Sequence, residues 1–192
     1  MKTVLISIRP EWVERIIRGE KLWETRKRIP KCELPCKYVI YCTKDLSYKV
    51  VNRNLEQLNG KVCAEFILNK YTHIDIKDPY ICLDLQQTSW DYVCKKTCLT
   101  SKQLMDYIGY GDEDSYSRGY ALHIDNLKVY DKPKELSEFV NNKALSYDDW
   151  HFGIYSGGRG AKGNYDSYLN IFRLKRPPQS WCYVEEWGYD KM

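Results

Sequence analysis

Gly19-Glu20-Lys21-Leu22-Trp23-Glu24-Thr25-Arg26 lies where one pattern of apolar residues ends and another begins. Before it, Trp12, Val13, Ile16 and Ile17 recur at helical spacing, and Gly19 stands where a helix closes through a left-handed residue. From Lys21 to Arg28 the pattern alternates, which predicts a strand. In an extended chain Glu24 and Arg26 share one face, while Trp23 and Thr25 take the other. An amine, a carboxylate and a guanidinium therefore meet at a helix-to-strand junction.

Working outward, Thr3 to Ile8 reads as a strand that opens onto Arg9-Pro10. Pro10 suits the first turn of a helix, and Glu11 suits the positive end of its dipole. The helix is predicted to run to Arg18, with Arg9 at the strand end, where a side chain can reach a cleft. Charge is concentrated here. The first 31 residues hold nine Lys or Arg against four Glu, a net +5, whereas the whole chain carries +4. All of the positive excess surrounds the opening stretch, which favours an anionic partner such as RNA or a nucleotide.

A chain of 192 residues can bury one good core but not two comfortable ones. With 43% hydrophobic and 29% charged residues, it has the composition of an ordered globular protein. Its 17 Tyr, 6 Trp and 4 Phe suit surfaces that stack flat ligands, and equally suit β-rich cores. The apolar run from Val4 to Ile8 is cut by Arg9 and Pro10 before it reaches the length of a signal or membrane segment, so a cytoplasmic protein without a membrane partner is expected. The eight Cys fall short of a disulfide scaffold. Cys32 with Cys36 and Cys94 with Cys98 make two C-x3-C pairs that suggest zinc, but structural zinc sites prefer tighter pairs and no His accompanies either one. No metal and no cofactor are expected, and Cys42, Cys63 and Cys82 read as small buried hydrophobes.

Beyond the junction, Tyr38 to Thr43 and Lys61 to Leu68 are strong strand signals on either side of an Asn59-Gly60 turn. Glu65 falls among apolar neighbours and needs a cation, for which Lys21 or Arg26 is the expected partner. Residues 75–117 read as an insertion holding a helix over Thr100 to Ile108, capped by Thr100 or Ser101. Strands resume over Tyr120 to Ile124 and Leu127 to Tyr130, and a short helix is expected over Glu135 to Asn141. His123 reads as a core residue sooner than as a base. The segment Ser156 to Gly163 is glycine-rich and basic without the ending of a P-loop. Trp181, in a β-like run after Pro177-Pro178, is a candidate either to stack a base or to fill the core.

The spacing Gly-x-Lys-x-x-Glu-x-Arg at residues 19–26, together with Gly60-Lys61-Val62 and Tyr120-Ala121-Leu122-His123-Ile124, resembles the ASCH domain family of the PUA-like superfamily, in its bacterial and phage form. The resemblance implies an α+β fold. A small mixed β-barrel with flanking helices would span residues 1–131, with the insertion at about 75–117. Residues 132–192 would be a C-terminal extension packed on the barrel, not an independent domain. It also implies a pocket near Arg9, Lys21, Arg26 and Thr43.

The resulting expectation is an RNA- or nucleotide-binding protein whose ligand residues are Arg9, Lys21, Glu24, Arg26, Tyr41, Thr43, Lys44, Glu65 and Trp181. The alternative is an enzyme. Some small ASCH proteins are amidohydrolases that release acetate from N4-acetylcytidine, and a Thr there stands where this chain has Glu24. A carboxylate beside Lys21 favours a stable ion pair, in which Lys21 stays protonated and Glu24 is left to activate water. Lys21 and Glu24 would then be the catalytic residues. Cleavage of RNA by Lys21 and Tyr41 is a further possibility. A purely structural ion-pair cluster is the remaining one, weakened by the poor return on burying charge. The sequence carries no signal for an oligomeric state.

Overall fold

The computed structural model describes residues 2–45, 57–77, 80–83, 89–109, 117–141 and 165–186. The glycine-rich segment 156–163 lies outside them. Among these residues ten strands form two sheets. They are β1 (Thr3–Ile8), β2 (Trp23–Arg26), β3 (Cys36–Cys42), β4 (Val62–Leu68), β5 (Tyr71–Lys77), β6 (Tyr80–Leu83), β7 (Ser117–His123), β8 (Asp125–Lys134), β9 (Phe139–Asn141) and β10 (Trp181–Glu186). The helices are α1 (Pro10–Ile17), α2 (Trp90–Thr97), α3 (Ser101–Ile108) and α4 (Tyr165–Phe172).

The larger sheet runs β8-β4-β3-β1-β10-β9, and the smaller runs β2-β7-β5-β6. Among the described residues only β1 and β3 pair in parallel, Thr3 facing Lys37 and Ile8 facing Cys42. A parallel pair needs a crossover, and α1 with β2 supplies it. The α+β class holds, but the expected closed barrel gives way, among the described residues, to two open sheets. Strands β7 and β8 are separated by Ile124 alone and lie in different sheets, so the chain passes from one to the other there.

Burial explains why the central strands were plain in the sequence. Val4, Ile6 and Ile8 of β1 face α1 with Val13 and Ile16, while Leu5 faces the opposite side with Val39, Val62, Phe139 and Val184. A strand covered on both faces becomes an unbroken apolar run. A third cluster, with Trp23, Ile74, Val93 and Leu104, packs α2 and α3 on the smaller sheet.

Two helix expectations change. Residues Trp90 to Cys98, whose mixed sequence predicts neither helix nor strand, hold the helix α2, started by Ser89 accepting from the Tyr92 amide at 3.2 Å. The predicted helix over Glu135 to Asn141 is one 3-10 turn, Leu136–Glu138, followed by β9. Pairing of Val140 with Glu185 on β10 draws those residues into the sheet. Strand β8 also continues through Pro133 to Lys134, at the edge of its sheet, where proline is tolerated. Among the described residues no helix is long and apolar enough to cross a membrane.

Candidate functional site

The site begins where α1 stops. Arg18 ends the helix, Gly19 turns through a φ of 72°, and the Glu20 and Lys21 amides both donate to the Arg15 carbonyl at 2.9 and 3.0 Å. This hook brings Lys21 back toward the helix, and the Leu22 amide then donates to the Lys96 carbonyl at 2.9 Å. Lys21 Nζ donates to the Thr97 carbonyl at 2.7 Å, lies 3.3 Å from Glu24 Oε2 and sits 5.2 Å from the Trp12 ring centre. On the far side of the carboxylate, Arg26 Nη2 lies 3.1 Å from Glu24 Oε1 and donates to the Ser7 carbonyl at 2.5 Å. Ser7 continues the chain of contacts, its amide donating to the Ser180 carbonyl and its hydroxyl to the Pro178 carbonyl.

Lys21, Glu24 and Arg26 are 2%, 6% and 8% exposed, so two cations share one carboxylate in a nearly dry setting. Burial pushes the Lys21 ammonium below its ordinary range, and the attraction of Glu24 does not fully offset it. The ion pair expected between Lys21 and Glu24 is formed, and burial and pairing act on the amine in opposite directions. Two buried polar atoms here have no hydrogen-bond partner, Thr25 Oγ1 and Arg26 Nε. Unpaired buried groups are uncommon and mark places where a partner belongs.

All of these side chains line one cleft of about 690 Å³. Trp12 and Tyr107 supply aromatic walls, Gln103 an amide, and residues 177–180 one side. A cavity of this size suits a nucleotide-sized ligand. Its floor offers a carboxylate for ring N–H or amino groups and cations for an anionic group.

Of the residues expected at the site, the cleft unites Arg9, Lys21, Glu24, Arg26 and Thr43. Arg9 is exposed at the rim. Tyr41 and Lys44 line a neighbouring hollow of about 870 Å³, which shares Thr43 and Pro177 with the cleft. Burial raises the Tyr41 phenol above its usual range, and it does not share the cleft with Lys21, which weakens the pairing imagined for RNA cleavage.

Two expected residues lie elsewhere. Glu65 takes Lys37, at 2.6 Å, and the Tyr130 hydroxyl, also at 2.6 Å, instead of Lys21 or Arg26. Burial raises its pKa, but the hydrogen bonds from Lys37 and Tyr130 outweigh that and hold it below the usual carboxylate value. Trp181 packs against the main core, meets Tyr183 edge-on at 5.7 Å and donates to the Arg28 carbonyl at 3.2 Å. It fills the core side of the choice and does not line the cleft. His123 stacks on Trp23 at 4.1 Å and meets Thr72 Oγ1 at 2.9 Å, and burial lowers its pKa to about 4.

Sequence reading missed Ser7, Trp12, Thr25, Gln103, Tyr107 and Pro177 to Ser180 as cleft residues. Helical spacing puts Trp12 on the apolar stripe of α1, which predicts a core residue, and Gln103 and Tyr107 reach the cleft only through packing of distant elements. The cysteines resolved as free thiols are Cys32, Cys36, Cys42, Cys63, Cys94, Cys98 and Cys182. Among the described residues no group of three His, Cys, Asp or Glu side chains is placed to hold a metal ion.

Fold and cleft together describe a two-sheet α+β protein with a charged pocket at a helix-to-strand junction. Solved ASCH proteins share this fold. A serine-to-alanine variant of ASCH from Zymomonas mobilis aligns with a TM-score of 0.52 and 18% identity over 96% of this chain and 89% of that one. A tyrosine-to-phenylalanine variant of the same protein gives 0.52 and 18% over 96% and 91%. No family model and no curated protein matches the chain by sequence.

Proposed function

We propose that this is an ASCH protein of the cytoplasm that binds RNA or a nucleotide, holding one base over Lys21, Glu24 and Arg26. The observation that supports it most is the floor of the cleft: a buried, positively biased ion cluster beside two unsatisfied polar atoms, Thr25 Oγ1 and Arg26 Nε. A structural role alone gives little reason to bury such a cluster, because desolvation offsets most of the attraction. A bound base would meet Glu24 through its edge and Trp12 or Tyr107 through its face, and Arg9 stands at the rim for phosphate. The fold shared with ASCH proteins agrees with this reading, and the free thiols fit a reducing compartment.

Equilibrium binding of the four nucleoside monophosphates and of a short RNA at low salt tests it. Arg9→Ala, Lys21→Met and Arg26→Met are each expected to weaken binding about tenfold or more, one lost charge-assisted contact being worth about 1.5 to 3 kcal/mol. Affinities equal to the parent protein in all three folded variants would remove the proposal.

The lowered pKa of Lys21 favours a second reading, a hydrolase acting on a modified nucleoside such as N4-acetylcytidine. Lys21 would then serve as base toward a water, with Glu24 orienting it. Incubation of the protein with N4-acetylcytidine distinguishes the readings: release of cytidine that disappears in Lys21→Met establishes the enzyme, and an unchanged substrate excludes that reaction.

A further inference from the structure

The hollow beside the cleft has a construction of its own. Its described lining includes Lys44, Arg173 and Lys175 against one carboxylate, Glu135. That carboxylate is already taken, since Lys61 Nζ binds Glu135 Oε1 at 2.7 Å from outside the lining. Lys44, Arg173 and Lys175 line the space with no acid besides Glu135 among the described lining residues.

Two of the surrounding pieces are held in place by the backbone. Residues 42–45 are tied to the 58–61 turn by the Gly60 amide on the Cys42 carbonyl at 2.9 Å and by Asn59, which accepts from the Asp45 amide at 3.1 Å and donates to its carbonyl at 3.2 Å. The Lys44 stem lies across Gly60 so closely that a Cβ there would come within 2.6 Å of Lys44 Cε. Gly60 also has a φ of 79°, so glycine answers both demands at this position. Arg173 is braced in turn, Nη1 donating to the Ser137 carbonyl at 2.7 Å and Nε to Asn170 Oδ1 at 2.8 Å. Ordering Arg173 and the Lys44 stem in advance lowers the entropy cost of binding an anion. Thr43 and Pro177 belong to both cavities, so the hollow opens beside the base-sized cleft and not on a remote face.

We propose that the hollow is a second subsite, which holds the phosphate and sugar next to the nucleotide in the cleft, so that the ligand is a single-stranded polynucleotide and not a free nucleotide. The inference rests on the binding reading above. A strand can enter two adjoining concave sites because its bases are unstacked and its backbone flexible, whereas a duplex presents its phosphates on a convex surface.

The test compares the double variant Lys44→Ala, Lys175→Ala with the parent protein, using the four nucleoside monophosphates and a mixed-sequence RNA octamer as probes. Both lysines are exposed, so the fold is expected to be unaffected. The parent is expected to bind the octamer at least about tenfold more tightly than any monophosphate at low salt. The double variant should lose that advantage, with the slope of log affinity against log salt reduced by about one to two, while monophosphate binding stays as it was. An octamer bound no more tightly than a monophosphate, or an advantage that survives in the variant, overturns the second subsite and leaves the cleft standing. Failure of the parent to bind either probe overturns both.

Discussion

At the scale of single residues, burial separates ion pairs that look alike on paper. Glu24 is nearly enclosed between Lys21 and Arg26, and its removal would leave two buried cations without their counter-charge. Glu24→Ala is expected to cost about 3 to 5 kcal/mol in urea unfolding. Arg118→Ala, which breaks the more exposed pair with Asp75, should shift the same urea transition far less, because solvent screens that pair. His123 gives a pH effect of known sign. Its folded pKa of about 4 lies below its ordinary value of 6.5, so the unfolded chain binds the extra proton between those limits. Stability is therefore full above pH 6.5 and falls as the pH drops toward 4, by at most about 1.4 kcal/mol per pH unit from this group. Melting temperatures over that interval should flatten in His123→Phe, which keeps a ring on Trp23 and removes the titration. The charged trio was legible because its members sit within six residues of one another. The partner of Glu65 was not: Lys37 is its diagonal neighbour across the β3–β4 pair, a matter of register that local spacing does not encode.

At the scale of elements, α3 carries Gln103 and Tyr107 to the cleft and depends on its first turn to do so. Thr100 Oγ1 accepts from the Gln103 amide at 3.2 Å, and Gln103 Oε1 accepts from the Thr100 amide at 2.9 Å, a reciprocal cap. Thr100→Ala is expected to lose about 1 kcal/mol and Thr100→Gly only a few tenths, measured by thermal unfolding. The same cap made α3 readable from sequence. Strand β9 was hidden for the opposite reason. Phe139-Val140-Asn141 follows residues able to form a helix, and it becomes a strand through β10, some forty residues later. Short strands borrow their identity from their neighbours.

At the scale of the whole molecule, the last strand of the described chain lies inside the larger sheet, between β1 and β9. Its Val184 shares a cluster with Leu5, Val39 and Phe139. A chain ending at Lys134 would bare one edge of β1 and open that cluster, so it is expected to aggregate or to show no cooperative unfolding transition. Sequence spacing could locate β1, β3 and β4, but which strand flanks β1 is a question of distant pairing that periodicity cannot answer. The contacts of Ser7 carry a dynamic consequence. Its amide is held by Ser180, its hydroxyl by Pro178 and its carbonyl by Arg26, so the wall and floor of the cleft meet on one residue. Exchange of the Ser7 amide with deuterated solvent requires release of the 180 carbonyl, which makes that single proton a clock for how often the wall lifts. An occupant resting on both surfaces would slow the clock without touching Ser7 itself.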